Sequence, residues 1–238
     1  MIETYFAGTY WMGRLESAES CAQRAAALFQ SLSPLDPTWN RWCEPGDSFQ
    51  EASRLQVDTD AGSLREHLER KDRRLSDGFL YGLWSGPSPD NTTSVTGSCG
   101  SESPWQPSSC VLTPPEQGPL AERVATASLL CQVIRQMVLA WEPEFGLATS
   151  TEHLMSLAAP RYKAGTLPGW MTYFSHQRGT VPPLPAPVRV EPVGDLGTLV
   201  VLTPERFTMT NPEHVQLAAE VQQVLNDAGL LHPLRPLS

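Results

Sequence analysis

The side chains of this chain that can do chemistry are scattered, and their spacing assembles no familiar catalytic set. Gly97-Ser98-Cys99-Gly100-Ser101 places a hydroxyl and a thiol between small residues, as a nucleophile turn would. The flanking sequence is polar and of low complexity, however, and supplies no nearby histidine as base. Glu66-His67, Glu152-His153 and Glu213-His214 set a carboxylate beside an imidazole three times. Adjacent residues on a helix point about 100° apart, so no single pair converges on a metal ion, and these histidines read as surface-helix composition. Cys21, Cys43, Cys99, Cys110 and Cys131 make an odd count without a C-x-x-C pair, which points to buried free thiols in a reducing compartment rather than a zinc knuckle or redox dithiol. There is no G-x-S-x-G elbow, Walker A loop, G-x-G-x-x-G turn or H-E-x-x-H helix. The expectation is a protein that is not an enzyme, with no catalytic residue, cofactor or metal ligand to assign. An enzyme with an unrecognised site stays open as a weaker alternative, because acid and base groups come together from distant segments.

Charge is the more informative property. The 238 residues carry 26 acidic and 17 basic side chains, a formal charge of -9. That balance argues against direct nucleic-acid binding, which rests on a basic face, and favours a basic partner. The acidity is uneven: residues 1 to 120 hold 16 Asp or Glu against 9 Lys or Arg. Between Leu35 and Asp60, Asp36, Glu44, Asp47, Glu51, Asp58 and Asp60 face only Arg41 and Arg54. One reading is a solvated face that keeps the protein in solution; the other is a docking surface for a cationic partner. Among the seven tryptophans, Trp39, Trp42 and Trp105 fall in loop-like contexts, where an exposed ring beside carboxylates makes an interface anchor. The candidate partner-binding residues are therefore Asp36, Trp39, Trp42, Asp47, Glu51, Asp58 and Asp60.

The elements that position these residues follow from local signals. Thr4 to Trp11 reads as an aromatic strand. Ser17 then caps a helix in which Ala18, Cys21, Ala22, Ala25, Leu28, Phe29 and Leu32 recur at helical spacing up to Pro34. Pro34 to Asp47 reads as a loop pinned by tryptophans. Ser63-Leu64-Arg65-Glu66 has the capping-box pattern and predicts a surface helix to Leu75, with Glu66–Arg70 and Glu69–Arg73 as i,i+4 pairs. Phe79 to Trp84 reads as a strand. Ser85 to Ser109 is either a flexible excursion or a meander with long turns, since Thr92 to Val95 and Cys110 to Thr113 are β-favouring. Leu120 through Trp141 has the strongest periodicity and predicts one central helix of about 24 residues. Trp170 to Phe174 reads as a strand, the proline-rich Val181 to Pro192 as a connector ending in an edge strand, and Thr198 to Thr203 as an apolar strand. Asn211, Pro212 and Gly229 punctuate a last helix with Leu217, Val221, Val224 and Ala228 on one face.

No apolar run reaches the ~18 residues of a membrane span, and the start has no signal-peptide pattern, so a soluble cytoplasmic protein is expected. The order of elements lacks βαβ alternation. It predicts an α+β fold, a largely antiparallel sheet with helices packed mainly on one face. One domain over residues 1–238 is expected, with the excursion or meander at about 85–119.

The strand ending in Tyr10-Trp11, then Gly13-Arg14, Glu16-Ser17, Cys21 and Leu35-Asp36-Pro37 to Trp42, resembles the immunity protein 52 family of bacterial polymorphic toxin systems. Gly82-Leu83-Trp84 and Pro168-Gly169-Trp170-Met171-Thr172-Tyr173 are similar to its later strands, so the likeness spans most of the chain apart from Ser85 to Pro119. The resemblance implies an immunity protein of the type VI secretion kind, one that binds a co-encoded nuclease effector of the restriction-endonuclease-like class and blocks it. A nuclease active site is a basic cleft built for phosphates, and an acidic inhibitor is steered towards it. A non-inhibitory adaptor or chaperone for a secreted effector is the alternative. The motif residues Tyr10, Trp11, Arg14, Glu16 and Trp42 are expected to hold the fold, since a toxin-facing surface need not coincide with a family signature.

Overall fold

A computed structural model describes residues 2–157 and 166–234. Ten strands run in chain order as β1 (Tyr5–Trp11), β2 (Trp42–Cys43), β3 (Gln56–Val57), β4 (Phe79–Ser88), β5 (Asn91–Cys99), β6 (Ser108–Thr113), β7 (Phe145–Ser150), β8 (Met171–Ser175), β9 (Arg189–Val193) and β10 (Gly197–Val201). They form one sheet in the order β3-β2-β4-β5-β6-β1-β7-β8-β10-β9, antiparallel at every pairing. Seven described helices accompany it: α1 (Ala18–Leu32), α2 (Phe49–Ala52), α3 (Ala61–Glu69), α4 (Pro119–Val124), α5 (Ala127–Trp141), α6 (Thr151–Leu157) and α7 (Pro212–Asp227). The fold is of the α+β class.

Residues opposite each other in an antiparallel pair share a face, so the register sorts the sheet into two sides. Ala7, Leu112, Val95 and Leu83 lie in one row of the first side. α5 packs on this side against β1 and β7, α1 packs on α5, and α3 packs on α1 and β4. The close approach of α1 follows from its composition, since its buried stripe is largely Ala and Cys. At the centre Trp141 of α5 stacks on Trp11 of β1 at 5.1 Å and on Tyr81 of β4 at 5.7 Å. Gly97 leaves room for this stack, because a Cβ there would lie 2.5 Å from the Tyr81 hydroxyl.

The described residues cover the second side over only part of its width. Phe145, Leu147 and Thr149 of β7 point this way. Near Thr149 stand His153, Phe207 and His214, the last on α7. At the other end Arg178 lies over the Phe145 ring and donates to the Leu230 carbonyl at 3.0 Å. The chain from His214 to Leu230 therefore crosses the β7–β8 part of this side. Over β5 and β6, Ser94, Thr96, Ser98 and Ser109 stay at least partly exposed.

Several expectations are corrected. The long helix is two: Ala125 and Thr126 leave helical geometry, and Thr126 caps α5 by accepting the Leu129 amide at 3.4 Å. The helix expected from Ser63 to Leu75 starts at Ala61 and ends at Glu69, because Asp60 takes the capping role, and Arg70 to Arg73 turn away to meet Glu44. Ser85 to Thr113 resolves as a meander of β4, β5 and β6. β7 was not foreseen; its six residues are all buried and lack alternation. α7 buries His214, Ala218, Val221 and Leu225, so its inward face is turned from the predicted one. His67, His153 and His214 are buried rather than surface residues.

Replacing Trp141 by alanine removes the middle ring of the stack and is expected to cost about 3–5 kcal/mol in urea denaturation. Trp105 is 67% exposed, and Trp105→Ala should stay within about 0.5 kcal/mol of the parent. Equal losses in the two variants would contradict this account of the core.

Candidate partner-binding surface

The acidic segment folds as an excursion at one edge of the sheet, through β2, α2 and β3 into the cap of α3. The structure divides its candidates into two sets. Asp36, Trp39 and Trp42 are corrected as docking residues, because all three are buried. Asp36 caps the 3-10 turn Pro37–Asn40 by accepting the Thr38 amide at 2.9 Å, and it receives Arg123 at 2.9 and 3.3 Å. Burial pushes the Asp36 carboxyl up, but the Arg123 and Thr38 hydrogen bonds outweigh it and hold the group below its ordinary value. The Trp42 indole donates to the Trp39 carbonyl at 2.9 Å and packs on Phe29 of α1 at 4.9 Å, so this pair pins the loop from inside. Of the three loop tryptophans only Trp105 is exposed.

Glu44 is also consumed internally. It pairs with Arg70 at 2.5 Å and Arg73 at 3.2 Å and contacts His67 at 3.2 Å. Desolvation lowers the His67 pKa despite the Glu44 charge.

Asp47, Glu51, Asp58 and Asp60 are exposed, and none forms an ion pair with a described residue. Glu51 lies in the first turn of α2 and accepts the Asp47 amide at 3.3 Å. Asp60 accepts the Gly62 and Ser63 amides at 2.9 and 3.1 Å and the Ser63 hydroxyl at 2.7 Å. These bonds, the Ser63 hydroxyl foremost, lower its pKa and keep it ionised. The exposed edge thus holds four carboxylates, with Arg41 and Arg54 as the exposed cations nearby in sequence.

A second polar surface escaped the sequence reading. At the C-terminal end of β1, a cleft of about 450 Å³ is lined by Trp11, Arg14, Glu142, Glu144, Tyr173, Ser175, His176 and Asp195 among others. Arg14 lies over the Trp11 ring and pairs with Glu16 at 2.9 Å; Glu16 also holds Arg24 at 2.7 Å. The family-like residues Trp11, Arg14 and Glu16 therefore belong to one charge network at the mouth of this cleft. Its sequence signal was Glu142-Pro143-Glu144, two carboxylates at the junction of α5 and β7.

Burial raises the Tyr173 phenol, pushes the Cys110 thiol up to about 12 and the Cys131 thiol up to about 11, and lowers His153 to about 4. Such thiols are not nucleophiles at neutral pH. All five cysteines are free and buried. Among the described residues no cluster of three or more His, Cys, Asp or Glu is disposed to hold a metal ion, and no helix is long and apolar enough to cross a membrane.

The family model for immunity protein 52 matches residues 3–234. The chain belongs to the immunity protein 52 family. Among solved structures, the Pseudomonas aeruginosa T6SS protein PA0821 is similar to this immunity protein at 13% identity and a TM-score of 0.54, covering 93% of this chain and 76% of the other. At that identity the likeness is one of fold. No curated protein sequence matches the chain.

The Asp36 cap yields a pH-dependent prediction. Asp36→Asn removes the charge that binds Arg123 and should cost about 1–3 kcal/mol at pH 7. Because the folded-state pKa lies below the ordinary value of 3.8, this contribution is complete above that value and fades as the pH falls through the folded value. Urea melts at pH 7 and pH 3 should show a clear gap between parent and variant at the first and a smaller one at the second.

Proposed function

We propose that this immunity protein neutralises a nuclease effector of a type VI secretion system by direct contact, docking through the acidic edge formed by Asp47, Glu51, Asp58 and Asp60. The observation that carries the reading is the exposure of these four carboxylates on one excursion while Asp36 and Glu44, from the same segment, are neutralised internally. Family membership supplies the toxin as a partner, and the fold likeness to a type VI secretion protein favours that delivery route. A nuclease presents a basic phosphate-binding cleft, so the net charge of -9 accelerates encounter with it. Five buried free cysteines fit action in the reducing cytoplasm.

The test combines Asp47→Lys, Glu51→Lys, Asp58→Lys and Asp60→Asn, the last preserving the α3 cap, and measures association with the effector encoded beside the gene. The on-rate should fall at least about tenfold at low salt and lose most of its salt dependence. Unchanged association at low and moderate salt would exclude this edge as the docking surface. Nuclease activity in the parent complex decides the mode of action: inhibition supports immunity by contact, and full activity in a stable complex makes the protein an adaptor or chaperone.

A further inference from the structure

On the second side of the sheet β4 and β5 present Leu80, Gly82, Trp84, Ser94, Thr96 and Ser98, and β6 continues these rows with an uncharged residue at each. Thr96 and Thr113 are exposed and Leu80 is 39% exposed, so this floor faces solvent. No acidic or basic side chain stands on it. Depletion of charge is the compositional mark of an interface core rather than of a rim.

Gly82 is an independent sign. It sits inside β4, where glycine carries an entropic cost that alanine avoids, and the register runs unbroken from Phe79 to Ser85, so no bulge accounts for it. Gly82 is buried at the bottom of the floor, yet a Cβ there would meet only Thr96 Cγ2, at an ordinary 3.6 Å. Gly8 and Gly97 differ, since each gives up its side chain to a tyrosine ring that takes the space. Nothing among the described residues requires glycine at position 82. A strand glycine of that kind marks the close approach of another backbone.

The surroundings say which kind of partner approaches. One end of the floor opens into a cleft of about 490 Å³ lined by Ser98, Asp77 and Glu102, the other into one of about 320 Å³ lined by Ser94, Asp90 and Glu116. Neither lining includes a lysine, arginine or histidine. Along its β4 margin the floor meets the acidic excursion, because Phe49 of α2 packs on the Trp84 ring at 5.2 Å. A basic protein therefore finds counter-charge on three margins, and an anionic one finds none.

We infer that this floor is the central contact with the toxin, whose backbone closes over Gly82 and Thr96 while its lysine or arginine side chains enter the two end clefts. The inference rests on the reading that a basic toxin docks at the acidic edge, and it makes that edge the rim of an interface whose centre is the floor.

The direct experiment uses Thr96→Cys. All five native cysteines are buried, so a maleimide labels the introduced thiol first in the folded protein. Its labelling should slow at least about tenfold in the saturated complex with the effector encoded beside the gene, while Ala219→Cys on the exposed face of α7 keeps its rate. An unchanged rate at position 96, or slowing at position 219 alone, would overturn the proposal. The companion variants are Gly82→Ala and Thr96→Arg. Gly82→Ala should melt at or above the parent temperature yet shorten the lifetime of the complex about fivefold or more. Thr96→Arg should melt within a few degrees of the parent and shorten it about tenfold or more. Parental lifetimes in both folded variants would also overturn it. The two readings fail separately: protection at position 96 with unchanged association of the edge variants excludes the edge and keeps the floor, and the reverse pattern excludes the floor and keeps the edge. No complex between the parent and the effector would overturn both.

Discussion

The stack of Trp141 between Trp11 and Tyr81 is the contact through which the rest of the structure is organised. It joins the last turn of α5 to β1 and β4, strands separated by two others in the sheet. Three large rings can lie flat on a sheet only where the strands beneath carry almost nothing. That condition is met by Gly97 and Cys110, which oppose each other in the register, and by the small Cys21 and Cys99 close by. The cysteines are therefore best understood as small apolar filling beside aromatic rings, and the raised pKa of Cys110 follows from that burial. The same constraint sets the position of α1, whose Ala and Cys stripe lets it lie tight against α5.

Elements announced by neighbouring residues were legible in the sequence. β1 showed itself through seven aromatic, β-favouring and small residues, α1 through Ser17 and its stripe, α7 through Asn211 and Pro212. What stayed hidden depended on distant partners. Nothing local in Phe-Gly-Leu-Ala-Thr-Ser says strand; β7 forms because β1 and β8 flank it on both sides. The break at Thr126 is invisible to periodicity, since Val124 and Ala127 keep the apolar spacing across it while the Thr126 hydroxyl caps the start of a new helix. Trp39 and Trp42 illustrate the same limit in a candidate site. Their loop is short and polar, yet α1 presents Phe29 beneath it, and the gain from burying two indoles outweighs the loop-like setting.

Charged residues were misread for a related reason. Counting carboxylates gives a net charge, but only long-range pairing decides which of them face a partner. Arg123, 87 positions away, takes Asp36, and Arg70 and Arg73 take Glu44. Both pairings secure the edge excursion to the rest of the molecule, so part of the acidic segment is spent on holding its other part in place. The histidines of the three Glu-His pairs follow the same logic. His153 and His214 flank Phe207 with their rings at 4.6 and 5.5 Å, and the acidic neighbour, not the imidazole, takes the solvent side at Glu213.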